Sequence, residues 1–275
     1  MSARPAGALL AAAGCAAAGA ATWAATFHVP GLARFDAHTM RGFAALHASL
    51  GELSGPIVQL VGPRPFAVAS ALLIGIAAAR RRPRLAVAAA AILAGANVSG
   101  QILKTLLADA RGWGIDPESW PSGHATAAMS LALCLVLVAP VRWRPLAGAV
   151  AGVSVVAAGF AILIAGGHFP SDVLGGYLLA GTWTALVIAA LRALPARRTA
   201  AGGHEAALRA GQVLRPIALA AVAMALAGLG VALGRADAVL EFMEEHTTFV
   251  FGATCLALAA LALAAATSLG LTRQR

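Results

Sequence analysis

Residues 121–141 read PSGHATAAMSLALCLVLVAPV, and Arg142 follows. From Ala125 to Val141 the run carries no charge. With Gly123 and His124 it is long enough to cross a bilayer as a helix, which takes about 20 mostly apolar residues. Ser122 is placed as the N-cap of that helix, and Gly123 leaves the first backbone N–H groups approachable. Outward from this stretch the same apolar length recurs at 6–27, 58–79, 84–106, 146–166, 172–192, 214–234 and 248–269, so that eight spans are expected in all. Composition agrees, with 60% of the 275 residues hydrophobic, 11% charged and a mean hydropathy of +0.82. Soluble domains carry about 25% charged residues, which excludes an ordinary soluble domain, a disordered tail and a fibrous repeat. The expected fold is all-α, a polytopic transmembrane helical bundle.

A net charge of +9 suggests nucleic acid at first, but the placement of the bases argues for membrane topology instead. With the N-terminus in the cytoplasm, the inner side receives Arg4, Arg80, Arg81, Arg82, Arg84, Arg142, Arg144, Arg192, Arg197, Arg198, Arg209, Arg215, Arg273 and Arg275. The outer side receives Arg34, Arg41, Arg64, Lys104, Arg111 and Arg235, and of the acids only Glu205 lies inside. This positive-inside bias puts both termini in the cytoplasm and leaves no nucleic-acid partner to invoke. Lysine occurs once among 20 basic residues, a usage that fits a GC-rich bacterial gene and hence a multi-pass protein of the bacterial cytoplasmic membrane. The first apolar run is too long for a signal-peptide core and is read as a retained signal anchor.

Three regions follow: 1–55, an anchor span and outer loop; 56–195, the core that carries the polar motifs; and 196–275, a linker and one more hairpin. In the loop, Leu32, Phe35, Phe43, Leu46 and Leu50 recur at near-helical spacing, which predicts an amphipathic helix on the outer membrane surface. The linker candidate is 194–215, with Gly202 and Gly203, and the outer turn of the last hairpin holds Asp237, Glu241, Glu244 and Glu245. Gly230 and Gly234 make one GxxxG, read as chance in so Gly- and Ala-rich a chain. Cys15, Cys134 and Cys255 have no metal-ligand spacing and read as small buried hydrophobes. The spans fit a monomer or a homo-oligomer equally well.

Ionisable groups near spans are expensive and need a reason. They concentrate in two outer segments, Lys104 to Arg111 followed by Pro121-Ser122-Gly123-His124, and Gly166-Gly167-His168-Phe169-Pro170-Ser171-Asp172. Both lie at the outer ends of their spans and can meet at one depth. Asn97 and Gln101 share a helical face with Lys104, making a polar stripe that leads to it. Lys104 and Arg111 alone are a snorkelling lysine and a loop charge; together they offer two cations to a phosphate, with arginine supplying a bidentate fork. A helix start at Ser122-Gly123 is an anion site. His168 and Asp172, four residues apart with Pro170 in the first helical turn, allow the carboxylate to fix one ring nitrogen and leave the other as a nucleophile. Asp109, Asp116 and Glu118 flank the site and read as solvated loop acids.

These segments resemble the type 2 phosphatidic acid phosphatase superfamily, integral-membrane lipid phosphatases that share their site with vanadium haloperoxidases. The family pattern is Lys, six residues, Arg-Pro; then Pro-Ser-Gly-His; then Ser-Arg, five residues, His, three residues, Asp. Lys104 and Arg111 match the first segment, with Gly112 in place of the proline. Pro121 to His124 match the second in full, and His168 and Asp172 match the third, which continues Val-Leu-Gly-Gly. The resemblance spans roughly 55–195 and implies a six-span phosphatase-like core. It also implies that His168 attacks phosphorus, Asp172 orients it and His124 moves the leaving-group proton. Lys104, Arg111, Ser122 and Gly123 would hold the phosphoryl oxygens. No metal or other cofactor is implied, and the partners are a lipid phosphate substrate and membrane lipids.

One family feature is missing: Ala161 and Ile162 stand where Ser-Arg is expected. Losing one preorganised donor costs about 10²–10³ in rate, which weakens such a site without removing its nucleophile. Arg64, between Pro63 and Pro65, is the candidate substitute. The expected function is hydrolysis of a lipid phosphate or diphosphate at the outer leaflet: a polyprenyl phosphate, phosphatidate or a phosphorylated glycolipid precursor, with the polyprenyl class favoured. A non-catalytic phospholipid-binding protein and a lipid phosphotransferase are the alternatives.

Overall fold

The computed structural model describes residues 5–111, 114–194 and 210–272. Gly112 therefore lies outside the described residues, as do most of the linker candidate (195–209) and the terminal arginines Arg4, Arg273 and Arg275. The fold is all-helical: α1 (Ala6–His28), α2 (Pro30–Ala45), α3 (His47–Leu60), α4 (Pro63–Ala79), α5 (Pro83–Leu106), α6 (Gly123–Val138), α7 (Arg144–Ala165), α8 (Pro170–Ala193), α9 (Ala210–Gly234), α10 (Ala236–Glu245) and α11 (Thr247–Thr272). Two short 3-10 turns, Pro117–Ser119 and Val141–Trp143, precede α6 and α7. Proline stands in the first turn of α2, α4, α5, α7 and α8. Its missing N–H is no loss there and its fixed φ suits the helix.

Six described helical segments are long and apolar enough to cross a membrane: Ala6–His28, Pro83–Leu106, Pro117–Val138, Val141–Ala165, Pro170–Ala193 and Thr247–Leu271. The span expected at 58–79 takes another form. α3 and α4 meet at a 49° bend and count as one broken span at most. The cause is Pro63 with Pro65 behind it: the residue before a proline is pushed out of the helical region, and Gly62 is extended (φ −66°, ψ 169°). In α9 the apolar stretch is the shorter Leu214–Gly230.

The centre is α6, α7 and α8, with α1 laid along α8, α5 against α6, and α11 across α7, α2 and α8. Successive long helices alternate in direction. The starts of α6, α8 and α11 and the ends of α1, α5 and α7 gather at one end of the bundle, which holds the polar motifs. At the opposite end arginines donate to late helix carbonyls: Arg80 to Val138 (2.7 Å), Arg144 to Leu271 (3.2 Å) and Arg192 to Gly270 (2.6 Å). A cation at a helix C-terminus meets both the orphan carbonyls and the negative end of the dipole.

Residues 28–55, expected to carry an amphipathic helix on the outer membrane surface, form α2 and most of α3. Leu32 and Leu50 are exposed, while α2 buries Asp36, Ala37, Thr39, Gly42 and Phe43 beneath α11 and α7. Phe43 is the anchor, with its ring 5.2 Å from that of Phe160 on α7 and 4.8 Å from that of Phe249 on α11, both edge-on. Gly230 and Gly234 face open space, and Cys255 is exposed on α11 where burial was expected. Truncating the anchor leaves a void that three helices share. Phe43→Ala is expected to cost about 3 kcal/mol, read as a lowered unfolding temperature of the purified protein in detergent.

Candidate active site

His168 owes its position to Gly166 and Gly167, both at positive φ (+84° and +88°) between α7 and α8. A side chain at either would be strained, so this turn requires glycine. α8 then opens with Pro170, and Asp172 sits in its first turn, fully buried. Its Oδ2 accepts from the backbone N–H of Phe169 (2.9 Å) and lies 3.5 Å from His168 Nδ1. With Nδ1 turned to the carboxylate, Nε2 is the ring nitrogen left for chemistry.

Ser122 is the N-cap of α6, its Oγ accepting from Ala125 N–H, and its own N–H donates to the carbonyl of Asp172 (2.9 Å). The starts of α6 and α8 are thereby tied together by backbone. Gly176 makes that crossing possible, because a Cβ there would lie 2.7 Å from the Ser122 carbonyl oxygen and 2.9 Å from Thr126 N. His124, half-buried in the first turn of α6, is within electrostatic reach of His168 and of Lys104.

Lys104 ends α5 with Nζ donating to the carbonyl of Glu118 (2.8 Å). Its Cε and Gln101 Nε2 lie 3.8 Å and 3.4 Å from where a Cβ of residue 123 would be, so both reach the α6 start. Asn97 does not reach it. Its amide donates to Leu93 O and Ser130 Oγ, joining α5 to α6 deeper in the bundle. Arg64 is exposed at the start of α4, and among the described residues no hydrogen bond or ion pair joins it to the site. Ile162 is buried in the apolar core and supplies no donor. Asp116 caps the turn before α6, its Oδ1 accepting from Glu118 N–H (2.7 Å).

Arg111 is occupied differently from a free phosphate fork. Its Nη1 donates to Asp36 Oδ2 (3.2 Å) and Ser171 Oγ (2.9 Å), and its Nη2 to Ser119 Oγ (3.2 Å) and to Asp172 Oδ1. Arginine has five N–H groups, so only Nε–H is left unassigned. The rings of Phe169 and Phe27 lie 3.9 Å and 4.4 Å from the guanidinium carbon. Sequence reasoning missed Asp36, Ser119 and Ser171, along with both rings. The available signal was Asp36 itself, a lone acid on the first helix after an anchor span.

A family model, the PAP2 superfamily, matches residues 57–195. Half of the chain, including every residue of the three polar segments, lies in that match, and the chain belongs to this superfamily of membrane phosphatases. No curated protein and no solved structure matches it.

At Gly176 the atoms in the way are backbone and cannot rotate aside. Gly176→Ala is expected to separate the α6 and α8 starts and to cost about 1–3 kcal/mol of overpacking strain. The measurement is the unfolding temperature in detergent, with Gly55→Ala, whose Cβ would meet nothing within 4 Å, as the silent control.

Proposed function

We propose that the protein hydrolyses a lipid phosphate or diphosphate through a phosphohistidine. The observation that carries this is the convergence of His168, backed by Asp172, with His124 and Lys104 at the start of α6. His168 Nε2 forms the bond to phosphorus as the bond to the lipid oxygen breaks. His124 gives that oxygen its proton, then takes one from the water that cleaves the phosphorus–nitrogen bond and releases phosphate. Lys104 and the first N–H groups of α6 hold the phosphoryl oxygens, and Asp172 stabilises the positive imidazole.

A lipid substrate is supported by what lies below His124. Ala128, Leu131 and Leu135 follow it at intervals of four, three and four, which is one helical face. That face borders an apolar groove of about 420 Å³ between α4, α6 and α7, lined also by Leu72, Ile76, Ala151 and Ala158. Ligand sites run from about 300 to 1,000 Å³, so a hydrocarbon chain fits there with its head at the polar end. A polyprenyl-linked lipid is the favoured class. Arg80, Arg144 and Arg192 at the opposite end support an extracytoplasmic site in a bacterial cytoplasmic membrane by the positive-inside rule. Buried Ile162 favours the second reading, a lipid-binding protein without turnover, and a phosphotransferase differs only in the acceptor that replaces water.

Phosphate release from a panel of lipid phosphates by the purified protein tests this directly. Release is expected to survive EDTA and to fall by about 10³-fold or more in His168→Ala; equal silence of both proteins leaves the binding reading. Filling the groove with Ala132→Phe is expected to lower turnover of long-chain substrates roughly tenfold while sparing a short soluble phosphate ester, because binding energy of a remote chain is what positions the head.

A further inference from the structure

Asp36 belongs to α2, outside the matched segment, yet its carboxylate faces the site. It is 5% exposed. Oδ1 accepts from the backbone N–H of Ser171 (3.0 Å), and Oδ2 accepts from Ser171 Oγ and from Arg111 Nη1. Ser171 precedes Asp172, and Arg111 Nη2 holds Asp172 Oδ1. One carboxylate from a helix remote in sequence therefore grips both groups that fix Asp172: the first turn of α8 and the guanidinium.

Charge counting makes the arrangement informative. One guanidinium touches two buried carboxylates, so the hydrogen-bonded cluster is a negative charge in excess, with Lys104 the next cation within electrostatic reach of Asp172. Arg111 and Asp172 alone would be balanced, and a buried unbalanced charge is costly. The excess sits beside His168, whose ring becomes positive when it attacks phosphorus. Resting on the phosphatase reading above, we propose that Asp36 is a positioning residue: it locks Arg111 and Ser171 against Asp172, and its charge helps hold the positive ring of His168. Arg111 then acts on Asp172 with four of its N–H groups committed within the cluster.

Burial raises the Asp36 carboxyl to about 6, with Asp172 pushing the same way and Ser171 and Arg111 pulling it down. The charged groups around it are Arg111 and Asp172, with Arg34 of its own helix lining a small cavity at its side. Raised above its ordinary 3.8, the folded carboxyl binds a proton that the unfolded chain does not. Its contribution to stability therefore declines as pH rises from about 4 to about 6 and stays low above that. Activity should run the other way, because only the ionised form grips Arg111.

The test compares wild type with Asp36→Asn and Asp36→Ala on a short-chain lipid phosphate in detergent, over pH 5–8. In Asp36→Asn kcat is expected to fall roughly 10–100-fold at pH 7.5 with KM nearly unchanged. The acid limb near pH 6 should disappear, and the unfolding temperature at pH 8 should be equal or higher. Hydrogen exchange read by mass spectrometry should rise at Ser171 and in the loop around Arg111. Wild-type kcat and an intact acid limb in Asp36→Asn would overturn the proposal. So would a parallel collapse of kcat and unfolding temperature, which marks a merely structural role. A wild type inactive on every substrate refutes the phosphatase reading; the lock itself is refuted only if exchange at Ser171 and near Arg111 is also unchanged in Asp36→Asn.

Discussion

The site depends on one buried ion cluster. Asp172 is fully buried at the start of α8, and a buried carboxylate persists only when its oxygens are paired. Here Oδ1 takes Arg111, while Oδ2 takes the Phe169 N–H and faces His168. Arg111 in turn stands between two aromatic rings with four of its N–H groups committed. A guanidinium so held braces Asp172, whose other oxygen lies 3.5 Å from His168 Nδ1.

The surrounding bundle supplies what the cluster needs. In lipid, helices gain little from burying apolar groups against one another, so close packing and hydrogen bonds carry the association. Gly176 lets α8 touch the backbone of α6, and the Ser122 N–H to Asp172 O bond then ties the two helix starts that hold the two histidines. α2 is drawn in through Phe43 and covered by α11, which explains how Asp36 comes to lie on the site and gives the last hairpin, outside the matched segment, a structural part.

Ile162 marks where this chain departs from the family pattern. It lies in the apolar core, facing none of the site's donors. Arg64 does not replace the absent arginine, since it is exposed at the start of α4. The cation that reaches the α6 start is Lys104, whereas Arg111 has only its Nε–H uncommitted.

Much was decided by the sequence alone. Unbroken apolar length makes membrane helices whatever their neighbours, because the backbone must satisfy itself in lipid. Pro-Ser-Gly-His and the His168–Asp172 interval place a capped helix start and an i,i+4 pair by local geometry. What local rules could not reach were contacts between segments distant in the chain. Which face of α2 is buried, that Arg111 spends its N–H groups on Asp36 and Asp172, that Asn97 faces Ser130 and not the site, and that Arg64 stays outside were all fixed by how the helices pack. Spacing gives the face a residue shares with its own helix; only the tertiary structure says what that face meets.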